Sequence, residues 1–114
     1  AFQQVFTNLI ANSVKFTPSG GHVDVTVETT ASDLLIRISD SGIGIPAEDL
    51  ANLFTRFFRA RNARTQEIPG SGIGLYIVRS IVEKMHGNIS VTSQENQGTT
   101  FEVRLPVSKN TATK

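Results

Sequence analysis

Residues 40–46, DSGIGIP, end a strand with a carboxylate and follow it with two glycines. In the residues before them, Leu34, Ile36 and Ile38 alternate with Arg37 and Ser39, which is the pattern of a half-buried strand. Asp40 continues the apolar side and is therefore predicted to point toward the core. A buried carboxylate is costly unless hydrogen-bond donors surround it. Asp40 is accordingly predicted either to cap a turn or to accept hydrogen bonds from a ligand.

A second polar residue lies on the apolar side of a predicted strand near the C-terminus. In residues 98–106, GTTFEVRLP, the apolar positions alternate from Phe101 onward, and Thr99 falls on the same side. Two side chains that accept hydrogen bonds, Asp40 and Thr99, are thus predicted inside the fold. The alternative is that each only caps a turn.

Composition indicates one globular domain and excludes several classes of protein. The 114 residues are 39% hydrophobic and carry a net charge of +1, so bulk charge suggests neither a nucleic acid nor a membrane surface as partner. Cysteine is absent, which fits a reducing cytoplasm and excludes a thiolate nucleophile. No apolar run reaches membrane-spanning length. We therefore expect a cytoplasmic segment without direct membrane contact, although the full protein could be anchored through other regions.

The two ends of the chain suggest a segment of a longer protein. Residues 1–17 have helical spacing but neither an initiator methionine nor a capping residue, so we expect the natural chain to begin earlier. The final residues, SKNTATK, are polar and of low complexity. We predict a folded domain over residues 1–107 and a disordered tail over residues 108–114.

The order of predicted elements indicates an α+β fold. The opening helix is followed by two strands, a short helix that begins at Pro46, and a long polar loop over residues 60–70 that we expect to be mobile. A further helix over residues 72–86 and two strands complete the chain. This order predicts two layers, with helices on one face of a largely antiparallel sheet.

Two amides and an ammonium share one face of the first helix. Asn8, Asn12 and Lys15 are four and three positions apart, opposite the apolar stripe. Amide oxygens suit a hard cation, and an ammonium suits a phosphate. An ordinary solvated helix face would have the same composition, so this cluster alone does not decide between the two.

Glycines and arginines mark the remaining candidate positions. GSGIGL, residues 70–75, precedes a helix, where backbone N–H groups attract phosphate. Neither this run nor DSGIGIP has the spacing of a mononucleotide or dinucleotide fingerprint. Four arginines with no acid between them lie just before GSGIGL: Arg56, Arg59, Arg61 and Arg64. They indicate either a solvated loop or a phosphate contact.

Taken in order, five segments resemble the motifs of bacterial sensor histidine kinases. NLIANSVKFTP resembles the asparagine box, DSGIGIP the first glycine box, LFTRFFRA the phenylalanine box, GSGIGLYIV the second glycine box and GTTFEVRLP the final strand. The resemblance runs from Phe2 to Pro106. It implies the Bergerat fold of DNA gyrase, MutL and the heat-shock chaperones, a two-layer α/β sandwich with a mixed, largely antiparallel sheet and ATP between helices and a lid.

The resemblance also implies roles for individual residues. Asp40 would accept the adenine amino group, Thr99 would support the same ring, and Ile45 and Leu75 would be its apolar neighbours. Gly42 and Gly44 would give the nucleotide room. The glycines of the second box would hinge the lid and bring amides to the triphosphate: Gly70, Gly72 and Gly74. Phe54, Phe57 and Phe58 would pack the lid.

On the phosphate side, the resemblance implies a magnesium site and cationic partners. Asn12 would hold Mg2+ with Asn8 beside it, and Lys15 would contact phosphate oxygens. Arg59 would stabilise the γ-phosphoryl group during transfer. Phosphoryl transfer requires groups that neutralise phosphate charge, and a metal ion, an ammonium group and a guanidinium group do so.

The sequence departs from the common family pattern at four positions. Ala11 stands where many relatives carry an acid, Phe16 and Phe58 replace frequent tyrosines, and Thr55 replaces a frequent glutamate. These departures weaken the case for a base supplied by the first helix and for phenolic contacts. None of them removes a nucleotide ligand named above.

By resemblance, the function is transfer of the γ-phosphoryl group of Mg-ATP to a histidine on a separate helical dimerisation domain, with a response regulator further downstream. An ATPase gate of the gyrase type, an anti-sigma-type serine kinase and a non-catalytic nucleotide sensor are the alternatives. Asn8 favours the kinase, because the ATPases carry a glutamate there that can act as a base toward water. His22 and His86 are predicted to be structural or surface residues, and the isolated domain is predicted to be a monomer.

Overall fold

The computed structural model describes residues 2–65 and 74–107. Helix α1 and strands β1 and β2 come first, a 3-10 helix and the short helix α2 follow, and α3, β3 and β4 complete the fold. Their bounds are α1 Phe2–Lys15, β1 Val23–Thr29, β2 Asp33–Asp40, the 3-10 helix Ala47–Asn52, α2 Arg61–Thr65, α3 Gly74–Lys84, β3 Asn88–Gln94 and β4 Gly98–Pro106.

The described strands form one four-stranded sheet in the order β1-β2-β4-β3. All three of its pairings are antiparallel, whereas the sequence had led us to expect a mixed sheet that is largely antiparallel. Strands β2 and β4 lie at its centre. The two-layer α+β class predicted from the sequence is confirmed.

The core lies between the sheet and the pair of long helices. On α1, Val5 and Leu9 are buried, and on α3 Val78 and Val82 are buried, each pair four positions apart as one face of a helix requires. They pack in one cluster with the apolar side of the central strands, which contributes Ile36, Ile38, Phe101, Val103 and Leu105. None of the helices in residues 2–65 and 74–107 is both long and apolar enough to cross a bilayer.

Strand β1 lies at an edge of this sheet and is largely exposed. Its valines alternate as predicted, and Val25 and Val27 pair in register with Ile38 and Ile36. Their side chains are nevertheless 39% and 54% exposed, while Ile36 and Ile38 are buried. The helix layer therefore covers the centre of the sheet and leaves this edge open.

The helix expected after Pro46 is a single 3-10 segment. It ends at Asn52. Leu53, directly after it, is buried, and the ring of Phe54 meets that of Phe101 edge-on at 6.2 Å. Phe57 has a φ of 68° and is 64% exposed. The chain has left helical geometry by that point.

The polar segment predicted as one long loop contains helix α2. Its first N–H, that of Arg61, donates to the Asp49 carboxylate at 2.9 Å, and the Arg61 guanidinium lies 3.1 Å from Glu48. Ala63 of α2 is buried. The prediction of a loop was wrong over residues 61–65, because acids from the preceding 3-10 helix cap and pair with this segment. The rest of that predicted loop and the predicted tail lie outside the described residues.

Candidate functional site

A cavity of about 470 Å³ lies between α1, the glycine-rich turn after β2, the segment that leads into α2, and the start of α3. Its volume is in the range of pockets that hold a small molecule. Apolar and polar groups share the wall. The polar side chains in the wall are those of Gln4, Asn8, Asn12, Lys15, Asp40, Arg59, Asn62 and Thr99.

The structure brings together most of the residues that the sequence singled out. Those that line the cavity are Asn8, Asn12, Lys15, Asp40, Gly44, Ile45, Arg59, Gly74, Leu75 and Thr99. Gly42 is buried but is absent from the wall. Gly70 and Gly72 lie outside the described residues. Both histidines are exposed, as predicted, and neither lines the cavity.

Asp40 and Thr99 form a polar floor at one end of the sheet. They are direct partners in the register of β2 and β4, and both are buried, with 9% and 7% of their surface exposed. One Asp40 oxygen, Oδ1, accepts a hydrogen bond from the Gly42 N–H at 2.8 Å. Asp40 therefore caps a turn and also lines the cavity, while its role toward a ligand stays a prediction.

Ser93 of β3 connects this floor to the glycine-rich turn. Its hydroxyl oxygen accepts from the Ile45 N–H at 2.8 Å, lies 2.9 Å from the Gly98 carbonyl oxygen, and lies 2.8 Å from the Thr99 hydroxyl. The sequence analysis did not single out Ser93. The available signal was its place on the apolar side of β3, two positions after Val91.

Protein packing explains the two glycines of DSGIGIP. We expected them to leave room for a ligand. A Cβ at Gly42 would collide with the Phe16 carbonyl oxygen, and one at Gly44 would collide with the backbone of Gln94. Gly44 also has a φ of +71°, a conformation that favours glycine. The bare backbone thus lets the turn pack against the end of α1 and the β3–β4 hairpin, and only Gly44 also lines the cavity.

Two cationic groups meet at the phosphate-binding side predicted from the sequence. Burial lowers the pKa of the Lys15 ammonium, and the neighbouring Arg59 guanidinium lowers this pKa further. Like charges that converge on one cavity repel each other, and an anion between them would relieve that repulsion. The Lys15 ammonium also lies 5.0 Å from the centre of the Phe16 ring.

The other arginines have separate environments. Arg61 pairs with Glu48, an acid that precedes the arginine run in the sequence. Arg56 lies 5.0 Å above the Tyr76 ring, and the Arg64 side chain lies outside the described part of the chain. Among the described arginines, Arg59 is the one that lines the cavity.

Asn62 of α2 is a cavity residue that the sequence analysis missed. Its side-chain N–H group donates to the Gly44 carbonyl oxygen at 2.9 Å, which attaches α2 to the glycine-rich turn. Within the described residues its buried Oδ1 atom has no hydrogen-bond partner. Phe58, which we expected to pack the lid, also lines the cavity.

The described residues contain no group of three or more histidine, cysteine or acidic side chains that could hold a metal ion by themselves. Oxygen donors of another kind are present, since the Asn8 and Asn12 amides lie one helical turn apart in the cavity wall. The cavity can therefore offer acceptors at its floor and cations and amides along α1 and the approach to α2. This arrangement suits a ligand with a polar ring and a multiply charged anionic group.

Comparison with known proteins identifies relatives over almost the whole chain. The sensor histidine kinase WalK of Bacillus subtilis is 41% identical over 105 residues, and the sensor protein SrrB of Staphylococcus aureus is 40% identical over 103 residues. Each alignment covers 90% of this chain but only 17% and 18% of the respective relative. The chain thus spans less than a fifth of the length of these two relatives.

Solved structures give the same relationship. A mycobacterial sensor histidine kinase, MprB, superposes with a TM-score of 0.80 at 34% identity, and the match covers 90% of this chain and 70% of that one. Full-length ShkA, solved in complex with AMPPNP, gives a TM-score of 0.76 at 27% identity over 92% of this chain and 21% of that chain.

The family model described as histidine kinase-, DNA gyrase B- and HSP90-like ATPase matches residues 1–109. That match covers nearly all of the sequence and includes the cavity described above. The chain belongs to this ATPase family, in the branch formed by the ATP-binding catalytic domains of sensor histidine kinases.

Proposed function

We propose that this chain binds Mg-ATP in the cavity and transfers the γ-phosphoryl group to a histidine on a dimerisation domain of the same protein. The observation that carries the proposal is the meeting, in one cavity, of the Asp40–Thr99 floor with Lys15 and Arg59. The AMPPNP bound to the similar protein ShkA supports a nucleotide as the ligand.

At the base end, Asp40 accepts a hydrogen bond from the adenine amino group. Its Oδ1 is already bonded to the Gly42 N–H, and the carboxylate has a second oxygen for the ligand. Ile45 and Leu75, which both line the cavity and pack against the core, contact the faces of the ring. One oxygen of the buried Asp40 carboxylate is thus stabilised by the turn and the other by the adenine amino group.

At the phosphate end, Lys15 and Arg59 bind the oxygens of the triphosphate. The attacking histidine nitrogen forms a bond to the γ-phosphorus as the bond to the β–γ bridging oxygen breaks, and ADP leaves. Negative charge on the transferring group is stabilised by the Arg59 guanidinium. Gly74 begins α3, and a Cβ built there has no heavy atom of the described residues within 4 Å, which would let phosphate approach the helix N-terminus.

The residues present fit a magnesium ion that arrives with the nucleotide. Mg2+ usually keeps several waters and binds few protein oxygens together with substrate phosphates. Asn12 would supply one amide oxygen, with Asn8 beside it, and both line the cavity. The ion would neutralise phosphate charge on the side of the cavity that Lys15 and Arg59 line.

A gyrase-type ATPase gate is the second candidate function, and the family match supports it as well. That function needs a base for the attacking water. Asn8 occupies the α1 position in the cavity wall, and an amide cannot remove a proton from water. Asp40 is the acid in the described wall, and it lies on β2 at the floor of the cavity. Helix α1 supplies no carboxylate that could act as the base.

The proposal also includes the acceptor histidine and a response regulator that receives the phosphoryl group from it. It places this activity in the cytoplasm. His22, directly before β1, and His86, just after α3, are exposed and do not line the cavity. The acceptor is therefore a histidine of another domain. The relatives' much greater length is consistent with such a domain.

The test is transfer of radiolabel from γ-labelled ATP to a histidine-bearing helical hairpin added in trans. We expect acid-labile, base-stable label on the hairpin and slow phosphate release by the domain alone. Arg59→Ala should reduce the transfer rate by more than it weakens ATP binding, because its main contact forms in the transition state. Arg79→Ala on the exposed side of α3 is the matched control. Rapid phosphate release with no label on any hairpin would support the ATPase gate instead.

A further inference from the structure

We infer that Ser93 is a specificity-determining positioning residue, which holds the Thr99 hydroxyl as a hydrogen-bond acceptor. The cavity floor therefore selects a purine with an amino group at position 6 over one with a carbonyl group there. This inference rests on the proposed nucleotide function and adds to it the residue that sets base selectivity.

The three polar side chains form a row across one end of the sheet. Ser93 on β3 pairs in register with Thr99 on β4, and Thr99 pairs with Asp40 on β2. Asp40 and Thr99 line the cavity, whereas Ser93 lies behind them and is part-buried. Ser93 is thus placed to act on the ligand through Thr99.

Counting protons fixes the direction of the hydrogen bond between Ser93 and Thr99. A serine hydroxyl has one proton to donate and two lone pairs. One lone pair of Ser93 accepts the Ile45 N–H at 2.8 Å. The Gly98 carbonyl oxygen, at 2.9 Å, can only accept, so the Ser93 proton points to it. The 2.8 Å contact with Thr99 then receives its proton from Thr99.

The opposite direction would leave a contact without a proton. If Ser93 donated to Thr99, the Ser93 and Gly98 oxygens would lie 2.9 Å apart with no hydrogen between them. Two lone-pair oxygens at that distance repel each other, and a buried hydrogen bond is lost. The assigned direction satisfies all three contacts of Ser93.

The consequence is a floor that presents acceptors alone. With its proton committed to Ser93, Thr99 offers only lone pairs to the cavity, and the ionised Asp40 carboxylate also only accepts. A 6-amino group has two N–H donors for these two neighbouring acceptors. A 6-carbonyl oxygen would face two acceptors and gain no hydrogen bond from either.

Close backbone packing holds this row in place. A Cβ at Gly98 would collide with the Asp40 carbonyl oxygen, and the Asn96 N–H donates to the Ile43 carbonyl oxygen at 2.6 Å. The β3–β4 hairpin is therefore in direct contact with the glycine-rich turn. The backbone that carries Ser93 and Thr99 is thereby held against the turn, and their hydroxyls lie 2.8 Å apart.

The experiment measures the affinities of the whole chain for ATP and for inosine triphosphate, which has a carbonyl group at position 6. In the wild type we expect ATP to bind at least about tenfold more tightly. In Ser93→Ala the Thr99 proton is released and can be donated to the carbonyl, so the ratio of the two affinities should narrow by roughly fivefold, the effect of one hydrogen bond. Ser90→Ala, on the exposed face of the same strand, is the matched control.

If Ser93 had a purely structural role, Ser93→Ala would weaken the binding of both nucleotides equally and leave the ratio of the two affinities unchanged. That result would overturn the inference. If Ser93→Ala does not fold, Ser93→Cys is measured instead. Its thiol is a weak donor and acceptor of similar size, and the ratio should again narrow. If the wild type binds neither nucleotide, the proposed function itself fails and the inference fails with it. Wild-type ATP binding with an unchanged mutant ratio refutes the inference alone.

Discussion

Asp40 has two carboxylate oxygens, and the turn that follows β2 uses one of them. The Gly42 N–H donates to Oδ1, while the residue lines the cavity next to Thr99. This division separates the structural role of the carboxyl group from its role in binding. A substitution can remove the second role and keep the first.

We predict that Asp40→Asn weakens ATP binding by about 1.5 to 3 kcal/mol, the usual contribution of a hydrogen bond to a charged group. The amide oxygen can still accept from Gly42, but the amide nitrogen would face the adenine amino group, donor against donor. Calorimetry measures the loss. Asp24→Asn removes the same charge from an exposed position and is the control. Unchanged affinity in a folded Asp40→Asn protein would refute the adenine assignment.

Lys15 gives a pH-dependent prediction. Burial, and then the charge of Arg59, lowers its pKa below 10.5 in the free protein. Phosphate oxygens favour the charged form, so nucleotide binding should raise this pKa and take up protons in the alkaline range. Affinity should accordingly fall as the pH rises through the lowered pKa.

Proton uptake can be measured as the dependence of the binding enthalpy on the ionisation enthalpy of the buffer. Lys15→Gln should abolish this dependence, whereas Lys84→Gln, at the exposed end of α3, should preserve it. Equal uptake in all three proteins would place the titrating group elsewhere.

At the scale of elements, α2 is too short to be stable by itself and depends on its contacts. An isolated helix of five residues cannot offset the cost of nucleation. Asp49 caps its first N–H, Glu48 pairs with Arg61, and Asn62 binds the Gly44 carbonyl oxygen. The helix is thereby connected to the glycine-rich turn of the cavity.

Asn62→Ala should therefore destabilise α2 selectively. The Gly44 carbonyl oxygen would lose a buried donor, at a cost of about 1 to 2 kcal/mol. We expect faster amide hydrogen exchange in residues 61–65, with strands β3 and β4 unchanged. Asn52→Ala, an exposed asparagine of the 3-10 helix, is the control. Protection of α2 that does not change in Asn62→Ala would show that its other contacts are sufficient.

The same helix shows where sequence periodicity stops being informative. Long elements with a repeated pattern were predicted well, as in α3, where Val78 and Val82 are buried, and in β4, where Thr99 joins the apolar side. α2 and the 3-10 helix are set by contacts between segments instead, and no local pattern records them. Asn62 and Ser93 were missed for this reason, since Asn62 binds Gly44 and Ser93 binds Ile45, and both partners are distant in sequence.

At the scale of the molecule, the cavity is built from both halves of the sequence. Asn8, Asn12 and Lys15 come from the first helix and Asp40 from β2, whereas Gly74 and Leu75 come from α3 and Thr99 from β4. The two long helices and the central strands share one core. A ligand that contacts all of these elements binds only when they are assembled, so its binding should stabilise the entire fold.

We therefore predict that ATP raises the thermal unfolding temperature of the whole domain. At about 100 times its dissociation constant, a ligand specific to the folded state contributes about 2.7 kcal/mol, which for a domain of this size is a shift of roughly 10 °C. Differential scanning calorimetry should show one transition that moves as a unit. At the same ATP concentration, the unfolding temperature of Asp40→Asn should rise much less, because its affinity for ATP is lower. That of Asp24→Asn should rise as much as in the wild type. An equal shift in Asp40→Asn would mean that the nucleotide stabilises the domain from a different site, since the floor of the cavity would then contribute nothing to binding.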